Sequence, residues 1–347
     1  NPDSFALGAI ALEALIANGQ IIEALPIGLK ISKNMPEITL AQYISMIDSL
    51  NSNSYSKVLD VLLNISPNGI DNFILPILQT WAAAGSNKEL GGLEIMKGQA
   101  NRGVLDPLYD YQSALIYEFI GDIENAHISY KNIIKRSNNA NAHVYSRAAI
   151  FFANNNLPDL YSETLNKLET IDPYSNELFI LKKNENYAKE TKISNIKQGI
   201  SEVFLNSAEI LFNEGLDRQA LIYAQISSYL EPKSDSANYL LGRIFKSINN
   251  NERAVKYFKK VNEYSLVIHD ANIAYAETLY DIEGLPNSKE FLNNMKKSFP
   301  DNINYLRTMA ELFYKADDFE SSIQYYDLIF EKIDKIEFKH WPLFYSS

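Results

Sequence analysis

Cysteine is absent, glycine and proline are scarce at 14 and 12 of 347 residues, and no apolar run reaches the roughly 18 residues that a membrane-spanning helix requires. Without cysteine there is no disulfide, no thiolate nucleophile and no Cys-ligated metal. The redox compartment stays open, since cytosol and periplasm both hold cysteine-free chains. So little glycine and proline argues against a turn-rich β protein. Basic residues are in deficit as well, 32 Lys and Arg against 43 Asp and Glu. The resulting net charge of -11 excludes a general nucleic-acid binder, whose affinity comes mainly from neutralising phosphates, and disfavours an anionic membrane surface. The four histidines, His127, His143, His269 and His340, are dispersed, and none stands in a metal-binding HExxH arrangement. Gly91 and Gly92 lack both the preceding strand and the GK[ST] tail of a phosphate-cradling loop. No catalytic residue, cofactor site or metal site is expected.

Aromatic residues are plentiful, 22 Tyr and 17 Phe, and a helical pattern recurs at an interval of 34 residues from Ser201 to Asn302. Aligned at Ser201, Asp235 and His269, position eight reads Ala208, Gly242 and Ala276, and position eleven reads Leu211, Phe245 and Leu279. Position twenty reads Ala220, Ala254 and Ser288; position twenty-four reads Ala224, Phe258 and Leu292. Pro232 and Pro300 share position thirty-two, where proline stops one helix before the next. Small residues at eight and twenty let two helices approach, and large apolar ones at eleven and twenty-four fill the space beside them. The sustained 3.6-residue period, with no period-two segment competing, predicts an all-α chain.

The residues at these positions resemble the tetratricopeptide repeat (TPR). The resemblance implies a right-handed α-solenoid superhelix of about nine helix-turn-helix hairpins, each burying its apolar face against its neighbours. Six hairpins fit well and three loosely. In chain order the reading is an N-terminal TPR-like array over 1–174, an irregular helical connector over 175–200, four repeats over 201–336, and the truncated start of a further repeat over 337–347. The first hairpin turns at Asn18-Gly19 and carries Pro26 early in its second helix, where a missing N–H is tolerated. The third has Trp81 at a large position, Gly85 at its turn, and a second helix weakened by Gly91, Gly92 and Gly98. The polar stretch from Tyr174 to Ile200 breaks the repeat phase and is expected to make few apolar contacts. His340-Trp341-Pro342-Leu343-Phe344-Tyr345 resembles the opening of a late repeat in a group of long bacterial TPR proteins, many exported. A fragment is therefore expected, with periplasmic and cytoplasmic locations both open.

In a TPR array the first helix of each hairpin lines the concave side, so its positions two, five, nine and twelve are implied to face a groove. Among them are Tyr111, Tyr145 and Phe152 in the N-terminal array, and Glu209, Phe212, Tyr239, Arg243 and Lys246 further on. Glu277, Tyr280, Arg307 and Tyr314 complete the expected partner-binding set. Tyrosine mixed with charge suits a peptide. The chaperone-type carboxylate clamp needs Lys at position five and Asn at nine. It is absent, because those places hold Leu205 and Glu209 in one repeat and Tyr239 and Arg243 in the next. Charge alternates by repeat, -3 over 201–234, +3 over 235–268 and -3 over 269–302. Arg243 and Lys246, on one helix face, are therefore expected to anchor an acidic group of the partner. The function implied is a non-enzymatic protein-protein interaction scaffold holding an extended peptide or partner helix, with no nucleic acid and no direct membrane insertion. The rival is an accessory array of a larger enzyme, such as a glycosyltransferase or peptidase, and a third reading is an array that builds homo-oligomers.

Overall fold

The computed structural model describes residues 2–87, 106–136, 142–183 and 192–333. Those residues form 18 α-helices and no strand, as the period predicts. In order they are α1 (Pro2–Ala17), α2 (Ile21–Asn34), α3 (Thr39–Asn51), α4 (Tyr55–Leu63), α5 (Asp71–Asn87), α6 (Asp106–Ile120), α7 (Ile123–Arg136), α8 (Ala142–Asn154) and α9 (Pro158–Ile171). There follow α10 (Asn176–Lys183), α11 (Ile196–Asn213), α12 (Asp217–Leu230), α13 (Asp235–Ser247), α14 (Asn251–Phe258), α15 (Ile268–Glu283), α16 (Leu285–Ser298), α17 (Ile303–Lys315) and α18 (Phe319–Ile333). Within most hairpins the turn needs one residue in the left-handed region. Gly19 and Asn53 supply it 34 residues apart, as do Gly215 and Asn249, and Asp317 supplies it between α17 and α18. Glycine, asparagine and aspartate are the residues that tolerate that conformation. Side-chain caps fix two of the helix starts that follow: Asn250 accepts from the Arg253 amide at 3.3 Å and Asp318 from the Ser321 amide at 3.1 Å.

The packing rule read from the sequence holds atom by atom. Ala208, Ala276 and Ala310, all at position eight, are fully buried. At position twenty the Ser288 hydroxyl donates to the Ala276 carbonyl at 2.7 Å, and 34 residues on Ser322 does the same to Ala310 at 2.9 Å. A bulkier residue at either place would push the two helices of the hairpin apart. Beside this contact Leu292 packs with Ala276, Tyr305, Met309, Leu312 and Phe313 in one core cluster.

Contacts divide the chain into two compact units, Asn1–Ala140 with Thr191–Ile244, and Asn141–Glu190 with Phe245–Ser347. Each unit is thus assembled from two separate stretches.

Three expectations are corrected. Gly85 is not a turn but lies inside α5; a Cβ there would come within 2.7 Å of Ile196 and 3.0 Å of Tyr55, so the glycine serves close approach. Pro26 is the sixth residue of α2, one turn deeper than a proline is freely tolerated, and its exposure lets water satisfy the carbonyl it leaves unpaired. The described parts of the polar stretch are well packed: Leu178, Ile180, Leu181, Ile196 and Ile200 are buried. α11 also starts at Ile196, five residues before the repeat phase at Ser201, with Asn195 as its cap accepting from the Gln198 amide at 3.0 Å. The helix with Gly91, Gly92 and Gly98, and the segment with His340 and Trp341, lie outside the described residues.

Replacing Leu292 by Ala should lower the stability of the second unit by about 2–5 kcal/mol, because it removes buried methyl groups where the neighbours cannot fully collapse. The urea midpoint of unfolding measures this, and a loss below 1 kcal/mol would mean that the position is not a core position.

Candidate partner-binding surfaces

In the first unit, the side of α1, α3, α5 and α6 expected to line a groove is covered by the hairpin α11–α12. Tyr111 is only 2% exposed, and its hydroxyl donates to Glu202 at 2.9 Å. Expected in an open groove, it is instead desolvated between α6 and α11. Asp71, the first residue of α5, is buried and accepts hydroxyls from Tyr43 of α3 at 2.6 Å and Tyr223 of α12 at 2.5 Å. Burial pushes the Asp71 carboxyl up, and the two phenol donors pull it partly back. Both phenols are raised, chiefly by burial, then by Tyr223 and Asp71 at Tyr43 and by Asp71 at Tyr223.

The remaining site residues of this unit, Glu209, Phe212, Tyr239 and Arg243, are half-buried. The Arg243 guanidinium lies 4.9 Å from the centre of the Phe212 ring and 5.6 Å from that of Tyr239. Such contacts are worth about 0.5–1 kcal/mol at a surface, and they hold the charge over a small aromatic floor.

In the second unit, Tyr145 and Phe152 are both 0% exposed. They are core residues of α8, and their place in the groove set is corrected. The remaining residues stand on first helices. Lys246, near the end of α13, makes an ion pair with Glu277 of α15, both half-buried. Arg307 and Glu311 pair more loosely at 3.8 Å, one turn apart on α17. Tyr280 is half-buried. Tyr314 is 62% exposed and meets Phe319 edge-on at 5.5 Å. Burial pushes the Glu311 carboxyl up, Arg307 pulls it back, and Glu277 adds to the rise. Tyr326 of α18, which repeat-register reasoning left out because it lies on a second helix, interacts electrostatically with Glu311 and Arg307.

The expectation that Arg243 and Lys246 wait for an acidic group is corrected in part. Glu277 already neutralises Lys246, and Arg243 is spread over two rings. Lys246→Glu should therefore cost about 1 kcal/mol of stability, since it sets two half-buried carboxylates against each other. Lys246→Met should cost less. Chemical denaturation of both variants in low and in 0.5 M salt tests this, and equal stability of the two would remove the pair as a structural contact.

The buried titratable group that could pass for chemistry is His269, 2% exposed on α15. Its Nδ1 shares a hydrogen bond with the Tyr305 hydroxyl at 2.7 Å, and the rings of Phe179 and Phe299 stand edge-on to it at 5.4 and 4.5 Å. Burial, and then the charge of Lys183, lower its pKa from 6.5 to about 4. It is neutral at pH 7 and built into the core. Because the folded state holds His269 below its unfolded pKa, its contribution is complete above pH 6.5. That contribution is lost as pH falls toward 4, by at most about 1.4 kcal/mol per pH unit. His269→Gln should flatten this acid limb in urea titrations at pH 7 and pH 5; an unchanged slope would place the acid sensitivity elsewhere. Among the described residues, no group of three or more His, Asp or Glu could hold a metal ion, and no helix is long and apolar enough to cross a membrane.

Fold and surface together define an all-helical protein of stacked hairpins. Residues 235–266, which span α13 and α14, match the tetratricopeptide repeat family. Among solved structures it is similar to PilF of Pseudomonas aeruginosa, at 15% identity over 70% of this chain and 97% of that one, with a TM-score of 0.32. It is also similar to the quorum sensor NprR from B. thuringiensis, at 14% identity over 95% and 99% with a TM-score of 0.35. Yeast Tom70 is similar at 12% identity over 97% and 78% with a TM-score of 0.33. At these TM-scores nothing about function is carried over from them. No curated protein matches the chain.

Proposed function

We propose that this protein is an interaction scaffold, and that the partner lies along the first-helix face of the second unit. The observation that carries this reading is the row Lys246, Glu277, Tyr280, Arg307, Glu311 and Tyr314, on successive first helices α13, α15 and α17. The row is half-buried or exposed, and of its members only Tyr280 also packs against the core cluster around Leu292. Two ion pairs with tyrosines between them offer a partner polar registration and aromatic area at low entropy cost. Glu311, held in a half-buried place beside a second carboxylate, favours a basic group of an extended peptide or helix. Such a partner would feel salt, because exposed charge complementarity is screened over about 10 Å at 0.1 M ionic strength.

Photo-cross-linking in cells tests the assignment. A benzophenone amino acid at Tyr314 or Tyr280 should capture a discrete partner protein, and the same group at Tyr264, 66% exposed in the loop after α14, should not. Equal capture at all three, or capture at Tyr264 alone, would remove the face from consideration. If the face is right, Glu311→Lys should weaken the captured complex at least tenfold and reduce its salt dependence.

A further inference from the structure

The hairpin α11–α12 meets the first unit through contacts of a different kind from those that stack neighbouring repeats. Stacking within a hairpin joins residues close in the chain, as Ser288 and Ala276 are, 12 apart. The contacts of α11–α12 with the earlier helices include hydrogen bonds and an ion pair between residues 91 to 208 apart. Each of the four first helices takes part. Arg218 of α12 pairs with Glu13 of α1 at 2.6 Å, and Phe204 of α11 stands edge-on to Tyr43 of α3 at 5.1 Å. Gly199 lies against Trp81 of α5, so close that a Cβ would fall 2.4 Å from the ring. Asn206 accepts from Gln112 of α6 at 2.8 Å.

From this we infer that the wall formed by α1, α3, α5 and α6 is a helix-binding surface, and that its ligand is carried in the same chain as α11–α12. The wall reads a helix and not an extended peptide. Gly199, Glu202 and Asn206 fall at i, i+3 and i+7, which share one face only in a helix, and they meet Trp81, Tyr111 and Gln112. On the receiving side the Trp81 indole N–H donates to the Gln112 side-chain amide oxygen at 2.9 Å, which turns the amide nitrogen of Gln112 toward Asn206. The kind of partner the wall fits is therefore an α-helix with a glycine, an acid three residues on and an amide four further on. While the chain's own copy is in place, such a helix cannot bind from another molecule. This assignment concerns the first unit and is independent of the partner face proposed on the second.

The test uses the full chain and one probe, a fluorescein-labelled synthetic peptide of residues 195–231. A Gly199→Leu chain, whose new side chain meets Trp81, should bind the peptide at least tenfold more tightly than the unaltered chain. A peptide that itself carries Gly199→Leu should not compete. Equal binding to both chains overturns the inference, as does binding to neither when the altered chain keeps its helical circular dichroism and cooperative unfolding. If Gly199→Leu does not fold, the double substitution Glu202→Ala with Asn206→Ala removes the contacts to Tyr111 and Gln112 without adding volume, and the same two outcomes decide.

Discussion

Two helices can lie against each other only as closely as their smallest facing residues allow, and that limit governs the hairpins from Ser201 to Ile333. At positions eight and twenty the side chain is a hydrogen, a methyl or a hydroxymethyl. Where it is serine, the hydroxyl bonds the backbone carbonyl of the facing helix. With the backbones this near, residues such as Leu292 and Phe313 fill the flanking space and expel water, which supplies most of the cohesion. The long-range contacts use the same device, for Gly85 and Gly199 admit Ile196 and Trp81 where any side chain would collide.

Much of this was legible in the sequence because it is periodic. Ala208, Gly242 and Ala276 recur at a fixed interval, and a period reports local geometry faithfully. The turns could have been read more sharply still, since Gly215, Asn249 and Asp317 share position fifteen of the repeat and all take the left-handed conformation. What periodicity does not carry is which parts of the chain meet after many residues. Gly85 looked like a turn because its partner, Ile196, lies far away in sequence. The polar stretch around Asn176 looked weakly packed because its partners, Asp270, Asn302 and Asn304, hydrogen-bond it from more than 90 residues on.

The same limitation explains the fate of the expected groove residues. Register marks first-helix positions by their place in the repeat alone. It could not say whether such a position faces water or another part of the chain. Tyr111, Tyr145 and Phe152 face protein, whereas Lys246, Glu277, Tyr280, Arg307 and Tyr314 keep access to solvent. Surface chemistry differs accordingly: the covered positions end in neutral phenol or phenyl groups, and the open ones are charged residues or tyrosines.

The discontinuity of the two compact units bears on how the protein comes to exist during synthesis. An ordinary repeat array can order itself hairpin by hairpin as it leaves the ribosome, since each repeat needs only the one before it. Here Tyr111 emerges 91 residues before Glu202 and Asp71 152 residues before Tyr223, and at about 5–20 residues per second that is a wait of several seconds. During that interval the aromatic wall of α3, α5 and α6 is without its cover. A nascent chain in that condition depends on either the solubility lent by its acidic surface or the protection of a chaperone until α12 has been made.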